Sequence, residues 1–514
     1  MISLPYPAGL PIGDHWIPAP STAPVYYPYD GSVVAEAPVG NASLARQALD
    51  LAVATRSSVG RMPSHVRRAA LQATYDGLAA QRDAFVDLLV LETGKPLVDC
   101  RVEVERTLLT LQTSAEEVAR LHGETVPLDL LPSGDGLLGF WVRKPIGVVV
   151  GIAGFNYPLL LAAHKVAPAL AAGCPVIVKP APQTPLATLW LVHLVREALA
   201  AAGGSPSAVQ LVTGGVDVGS TLTTDRRIGA VSFTGSAAVG HQIARDAAPT
   251  KVLLELGSNS ALVVAADADL DAAADAVIRG GYYASGQACI SVQRLIVVES
   301  VRGKLLDQLA ARLDQAVVGD PRDEKTKVSA LIDNRSTARV QGWIDQAVSA
   351  GATVAYSAAG DGQSFSMRAK ETAGDAESSS TQAEETAGAK YGVVSPTVLV
   401  DVPQGQLVWD EEIFGPVIAI RSVPDIATAF RTVNESRYGL QASVFTSSLE
   451  TAFAAIDELE VGGVVVNEVP GFRSDVMPYG GVKDSGAGRE GPRFAIEELT
   501  VTRMAVIRPV TRKT

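Results

Sequence analysis

Cys289 stands in Gly286-Gln287-Ala288-Cys289-Ile290-Ser291, after a Gly-Tyr-Tyr-Ala-Ser run with little aliphatic character. A thiolate is a strong nucleophile, and small neighbours leave room for a substrate to approach it. A lone cysteine more commonly fills a core. Cys174, in Ala-Gly-Cys-Pro-Val-Ile, and Cys100 read that way. Glu255 closes the apolar run Val252-Leu253-Leu254. A carboxylate there either faces a cleft from the carboxyl end of a strand or lies in a surface loop, since burial without a partner is costly. Asn156, in Gly154-Phe155-Asn156-Tyr157-Pro158, has an amide that could donate to an oxyanion or simply hold the turn before Pro158. Phe233-Thr234-Gly235-Ser236 joins a strand to a helix that continues through Gly240. Backbone N–H groups at such a junction suit a pyrophosphate, although the spacing is not the common G-x-G-x-x-G.

These residues fall where apolar strands give way to helices. Strands are expected at Ile146–Ile152, Pro175–Lys179, Val209–Thr213, Gly229–Phe233 and Val252–Leu256, with helices near Leu159–Ala172, Leu186–Ala202 and Ala237–Ala248. Nearly continuous apolar strands alternating with helices predict a parallel sheet covered on both faces, wound right-handed as in Rossmann-type domains. A second unit begins after Gly257, with strands at Ser260–Ala266, Arg294–Val298, Pro396–Val400, Val417–Arg421 and Gly463–Asn467. Asp269 caps a helix whose Leu270, Ala273, Ala274 and Val277 share one face. The fold class is α/β, and two such units should meet in a ligand cleft. From Ser357 to Lys390 the chain is rich in Ser, Thr, Glu, Ala and Gly, which reads as a surface insert.

Composition narrows the classes. At about 150 residues per domain, 514 residues make roughly three packing units. A formal charge of −12 without basic clusters disfavours nucleic acid or an anionic membrane as partner. Three cysteines cannot build a disulfide framework and point to a reducing compartment. The first residues lack a basic segment followed by an apolar one, and the longest apolar stretch is broken by His164, Lys165, Pro168, Gly173 and Pro175. A cytoplasmic location is expected. The six histidines show no paired metal-ligand spacing, so no metal is expected and each reads as a surface or satisfied core residue.

Taken together, the segments resemble the NAD(P)-dependent aldehyde dehydrogenase superfamily from about Glu92 to Ile507. The resemblance rests on Glu92-Thr-Gly-Lys-Pro96, Gly154-Phe-Asn-Tyr-Pro158, Phe233-Thr-Gly-Ser236, Glu255-Leu-Gly257 and Gly286-Gln-Ala-Cys289. Glu411-Glu-Ile-Phe-Gly-Pro416, Pro478-Tyr-Gly-Gly481 and Ser485-Gly-Ala-Gly-Arg-Glu490 follow in the family's order. In character the chain is similar to bacterial lactaldehyde, phosphonoacetaldehyde and non-phosphorylating glyceraldehyde-3-phosphate dehydrogenase-like members. The resemblance implies that Cys289 attacks an aldehyde to give a thiohemiacetal and then a thioester, with Asn156 holding the oxyanion. Glu255 would activate the hydrolytic water. Lys179, Gly235, Ser236, Gly240, Leu256, Glu412 and Phe414 would bind the cofactor, NAD or NADP. It also implies a coenzyme domain over 1–123 and 145–257 and a catalytic domain over 258–484. An antiparallel oligomerisation arm would span 124–144 and 497–514 in a homodimer or homotetramer.

The chain departs from the family at Pro182 and Ser258, and its Ser357–Lys390 insert is longer than the family usually carries. Members preferring NAD often carry a glutamate three residues after the Lys179 position, where this chain has Pro182; acceptance of NADP is therefore expected, with NAD not excluded. Ser258 replaces the usual second glycine after Leu256. Arg106, Tyr157 and Arg473 fall at positions that line the family's substrate funnel. Two guanidiniums there would favour a small anionic aldehyde, unless they pair with local acids such as Glu105 or Asp475. A neutral aromatic or aliphatic aldehyde then becomes the alternative substrate. A CoA-acylating enzyme is disfavoured by the presence of Glu255, and a catalytically silent protein by the presence of Cys289, Glu255 and Asn156.

Overall fold

The computed structural model describes residues 2–357 and 392–509. Beyond Ser357, the insert expected at 357–390 lies outside the described residues, as do residues 510–514 of the expected arm.

The first sheet runs Gly486–Ala487, Lys251–Glu255, Ile228–Thr234, Val148–Ile152, Val176–Lys179, Val209–Leu211. All its pairings are parallel except the first, in which Gly486 stands opposite Glu255. Every residue of Val148–Ile152 and Val176–Lys179 is buried, so both faces are covered and the strands read as unbroken apolar runs. The short strand Gly486–Ala487 has too little apolar pattern to be anticipated, yet it completes the edge beside Glu255.

Helix Pro158–Ala172 lies at the centre of this unit. Pro158 opens it at a position where no N–H is needed, and Gly173, at φ 82°, closes it in a conformation that a side chain would disfavour. All fifteen of its residues are buried. His164 and Lys165 therefore have no solvent-facing side and need partners inside the protein.

The second sheet runs Thr353–Ser357, Thr397–Val400, Val417–Val423, Arg294–Val298, Ala261–Val264, Gln441–Phe445, Gly463–Val466, parallel after its first pair. All five strands expected here fall within a residue or two of their observed bounds, Ser260–Ala266 shortening to Ala261–Val264. Gln441–Phe445 was not anticipated, because it opens on a glutamine and reads as a mixed segment. Gln441 is nevertheless buried, and its amide donates to the carbonyls of Pro470 at 2.9 Å and Phe472 at 3.2 Å. Asp269 caps helix Leu270–Tyr282 by accepting from the Ala272 N–H. A third, antiparallel sheet joins Glu124–Val126, Leu138–Pro145 and Thr500–Ile507. Among the described residues no helix is long and apolar enough to cross a membrane.

Candidate active site

A cleft of about 490 Å3 is lined by loops at the carboxyl ends of first-sheet strands and, from the second unit, mainly by segments leading into the amino ends of Arg294–Val298, Val417–Val423 and Gln441–Phe445. Its lining includes Cys289, Glu255 and Asn156, together with Gly235, Ser236, Leu256, Glu412, Phe414, Arg106, Tyr157 and Arg473. Lys179 and Gly240 are outside the lining. Lys179 ends the neighbouring strand, and Gly240 gives way to the Leu256 side chain, which a methyl group at Gly240 would overlap.

The nucleophile candidate sits after an unusual turn. Ala284, Ser285 and Gly286 adopt φ 49°, 57° and 73°, three consecutive left-handed residues, two of which carry side chains. Such backbone costs on the order of 1 kcal/mol or more per non-glycine residue and survives only where neighbours impose it. Here Asp99 accepts from the Ala284 N–H at 2.9 Å, and Ser285 Oγ accepts from Ser329 N–H at 2.9 Å. Gln287 Oε1 accepts from Ile332 N–H at 3.0 Å. A Cβ at Gly286 would run into the Gly415 backbone. Composition around Cys289 showed small residues but not this conformation.

Asn156 follows strand Val148–Ile152, and its Nδ2 donates to the Gln287 carbonyl at 2.8 Å. That bond ties a loop of the first sheet to the turn carrying Cys289 in the second unit. Glu255 is the last residue of its strand, in register with Thr234 on one side and Gly486 on the other. It is buried, and its Oε2 has no hydrogen-bond partner. Burial, then repulsion from Glu490, hold its carboxyl well above the usual carboxylate range. Burial likewise pushes the Cys289 thiol up to about 11, opposed by a hydrogen bond with Tyr479.

Arg106 and Arg473 both meet Asp475, one of the acids anticipated; Glu105 turns instead to Arg82 at 3.1 Å. Arg106 Nε and Nη2 donate to the two Asp475 oxygens at 2.8 and 2.9 Å. Arg473 Nη2 donates to Glu490 at 3.1 Å, and Lys165 Nζ donates to the same carboxylate at 2.5 Å. His164 bridges the pair, with Nε2 3.1 Å from Asp475 and Nδ1 3.2 Å from Glu490. Asp475 and Glu490 are held well below the usual carboxylate range because these cations outweigh the effect of burial. His164 is buried in the cleft wall with Nε2 bonded to Asp475. Its Nδ1, although 3.2 Å from Glu490, makes no hydrogen bond among the described residues, so it is only partly the satisfied core residue expected. Glu490 was visible in a motif but without a role, and Lys165 gave no signal beyond a charge in an apolar helix.

The residues expected to hold a dinucleotide fit that group. Helix Ala237–Ala247 starts at Ser236 without a side-chain cap, which leaves its first N–H groups free. Lys179 Nζ is buried and, among the described residues, has only the Pro180 carbonyl, at 3.5 Å. Phe414, at φ 50°, packs edge-on to Phe155 with ring centroids 5.7 Å apart. Glu412 Oε1 accepts from Ser258 N–H at 2.9 Å, so the departure from glycine contributes its backbone here. Burial raises the Glu412 carboxyl to about 7.

A model of the aldehyde dehydrogenase family matches residues 16–388 and 358–505. The 3-sulfolactaldehyde dehydrogenase of Priestia aryabhattai is 37% identical over 473 residues, covering 90% of this chain and 92% of that protein. Aldehyde dehydrogenase 21 of Physcomitrella patens, solved with its reaction product succinate, superposes with a TM-score of 0.87 at 32% identity, covering 98% of each chain. The NADP-dependent glyceraldehyde-3-phosphate dehydrogenase of Bacillus halodurans C-125, solved with NADP, gives 0.87 at 32% identity over 98% of this chain and 99% of that one. This chain belongs to the aldehyde dehydrogenase family and is an NAD(P)-dependent oxidoreductase.

Proposed function

We propose that the chain oxidises a small aldehyde with an anionic tail to its carboxylic acid, with Cys289 as nucleophile and Glu255 as base. One observation carries the substrate class. The two bonds to Asp475 fix Arg106 in a bidentate pair and leave Nη1 without a protein acceptor among the described residues, on a side chain that is 23% exposed and lines the cleft. Around it, Arg106, Arg473 and Lys165 are three cations set against two carboxylates, Asp475 and Glu490, while burial and repulsion from Glu490 raise the Glu255 carboxyl well above the usual carboxylate range. The cluster therefore keeps a surplus of positive charge beside the cleft, where low dielectric strengthens its pull on an anion. The named substrate of the Priestia relative carries a sulfonate, and the Physcomitrella product is a dicarboxylate; both agree with this reading.

The Cys289 thiol first gives up its proton to water, and the resulting thiolate attacks the aldehyde carbon as the carbonyl electron pair moves to oxygen. Asn156 Nδ2 and the Cys289 N–H stabilise that oxyanion, with Nδ2 exchanging its bond to Gln287. Bound NAD or NADP would supply the acceptor for the hydride that leaves the aldehyde carbon. Re-formation of the C=O bond then leaves a thioester on Cys289. Glu255, a stronger base for being raised, takes a proton from water once it has ionised, and the hydroxide releases the acid. Lys179, Gly235, Ser236, Gly240, Leu256, Glu412 and Phe414 hold the cofactor, and Tyr157 and Arg473 complete the substrate wall. With Pro182 in place of a carboxylate, NADP is accepted.

The division at residues 123, 145, 257 and 484 remains our proposal for the domains. We also assign the sheet of Glu124–Val126, Leu138–Pro145 and Thr500–Ile507 to a subunit contact in a homodimer or homotetramer. Val501, Met504, Val506 and Ile507 are exposed on it, and the far edge of its outer strand Thr500–Ile507 has no partner strand among the described residues. A cytoplasmic location suits a thiol that must stay reduced. The test compares nicotinamide reduction and acid formation for anionic and neutral aldehydes of equal length, with NAD and NADP in parallel. The reading requires higher kcat/KM for the anionic members and no dependence on CoA. Preference for neutral aldehydes would overturn it.

A further inference from the structure

Tyr479 lies in the motif Pro478-Tyr479-Gly480-Gly481 and is 3% exposed. Its hydroxyl is 3.3 Å from Cys289 Sγ, and among the described residues it is the only hydrogen-bond partner of that sulfur. The ring is fixed from the other side by Arg473, whose Cζ lies 3.7 Å from the ring centroid. The backbone is fixed as well: Tyr479 N–H donates to the Glu490 carbonyl at 3.1 Å, and Glu490 N–H donates back at 2.6 Å. A phenylalanine would satisfy the packing and the cation–ring contact, so neither explains the hydroxyl. Burial keeps the proton on the phenol oxygen, which makes this group a donor toward an ionised sulfur.

We propose that Tyr479 is a further catalytic residue, whose hydroxyl donates to the Cys289 thiolate and holds Sγ ready for the aldehyde carbon. The proposal rests on Cys289 being the nucleophile. As the S–C bond forms, the sulfur pair is committed to carbon and the negative charge moves to the carbonyl oxygen. Tyr479 keeps its proton throughout. When water cleaves the thioester, the C–S bond breaks, its electron pair returns to sulfur, and the same hydroxyl receives the thiolate. The other groups that act on this sulfur are Arg473, which favours its ionisation, and Glu412, Glu255 and Tyr283, which oppose it. With burial also opposing ionisation, one well-placed donor is a substantial share of what favours it.

The test is alkylation of the full-length enzyme by iodoacetamide across pH, followed at Cys289 by mass spectrometry and by loss of aldehyde oxidation. Tyr479→Phe should raise the midpoint by about one pH unit, a roughly ten-fold slower alkylation below both midpoints. Its unfolding temperature and NADP affinity should not change. Site-specific 3-fluorotyrosine at position 479, a more acidic phenol and better donor, should move the midpoint down. This second arm remains informative if the phenylalanine variant fails to fold. Midpoints equal to that of the unaltered protein in the folded variants would overturn the proposal. Labelling of Cys289 that leaves oxidation intact would instead remove the nucleophile reading, which separates the two failures.

Discussion

Glu412 and Asp475 are both poorly accessible carboxylates of the cleft region, yet their surroundings drive them in opposite directions. Glu412 has one backbone donor, Ser258 N–H, and burial raises it to about 7. Asp475 is contacted by Arg106, Arg473 and His164 and is held well below the usual range. The same contrast runs through the two parts of the lining. Around Gly235, Ser236 and Glu412, backbone N–H groups and a lightly held carboxylate are left for a ligand to complete. Around Arg106, His164 and Arg473, nearly every charge already has a partner, and only a small positive surplus remains. We propose the first part as the receptor for a large, chemically constant molecule. The second is a rigid wall in which a single unclaimed donor can decide specificity.

Variants at the chemistry give the largest effects. Cys289→Ser should lower kcat/KM on the order of 10^4-fold with cofactor affinity unchanged, measured by steady-state rates and fluorescence titration. Glu255→Gln should slow turnover about 10^2- to 10^3-fold while one equivalent of reduced nicotinamide still forms in a rapid burst. Loss of the burst would place Glu255 before the thioester instead of after it.

The contrast itself is tested next. Asp475→Asn strands Arg106 and Arg473 and should cost about 3 kcal/mol or more of stability at pH 7 by denaturant titration. The sign with pH follows from the depressed carboxyl. Its contribution is present above the ordinary aspartate value of about 4 and is lost as pH falls through the folded value, so the variant and the unaltered protein should converge in acid. Glu412→Gln should cost far less stability, because its one bond is to a backbone N–H, and should weaken cofactor binding instead. The smallest effect is expected at Pro182→Glu, which should shift the NADP-to-NAD efficiency ratio toward NAD by about ten-fold or less.

Particular residues show how far the sequence could be read. The strands Arg294–Val298 and Val176–Lys179 were legible because burial on both faces leaves only apolar side chains. Gln441–Phe445 was not, because a buried glutamine satisfied by Pro470 and Phe472 looks like a loop residue until those carbonyls are in view. Cys289, Glu255 and Asn156 could be identified from motif order, and the structure brings all three to one cleft. The left-handed run Ala284–Gly286 that aims Cys289 was invisible, since nothing in Ala-Ser-Gly reports the clamps from Asp99, Ser329 and Ile332. The ion cluster was half visible. Asp475 was a local candidate, but Lys165 and Glu490 are 325 positions apart and meet only through the fold.

We propose that the free donor of Arg106 selects an anionic tail. The most direct test is the ratio of kcat/KM for an anionic three-carbon aldehyde to that of its neutral counterpart, in the unaltered enzyme and in Arg106→Ala. We expect a ratio well above one that collapses about ten-fold or more in the variant, through KM for the anionic member. An unchanged ratio in a folded Arg106→Ala enzyme would contradict it and return both arginines to a purely structural role.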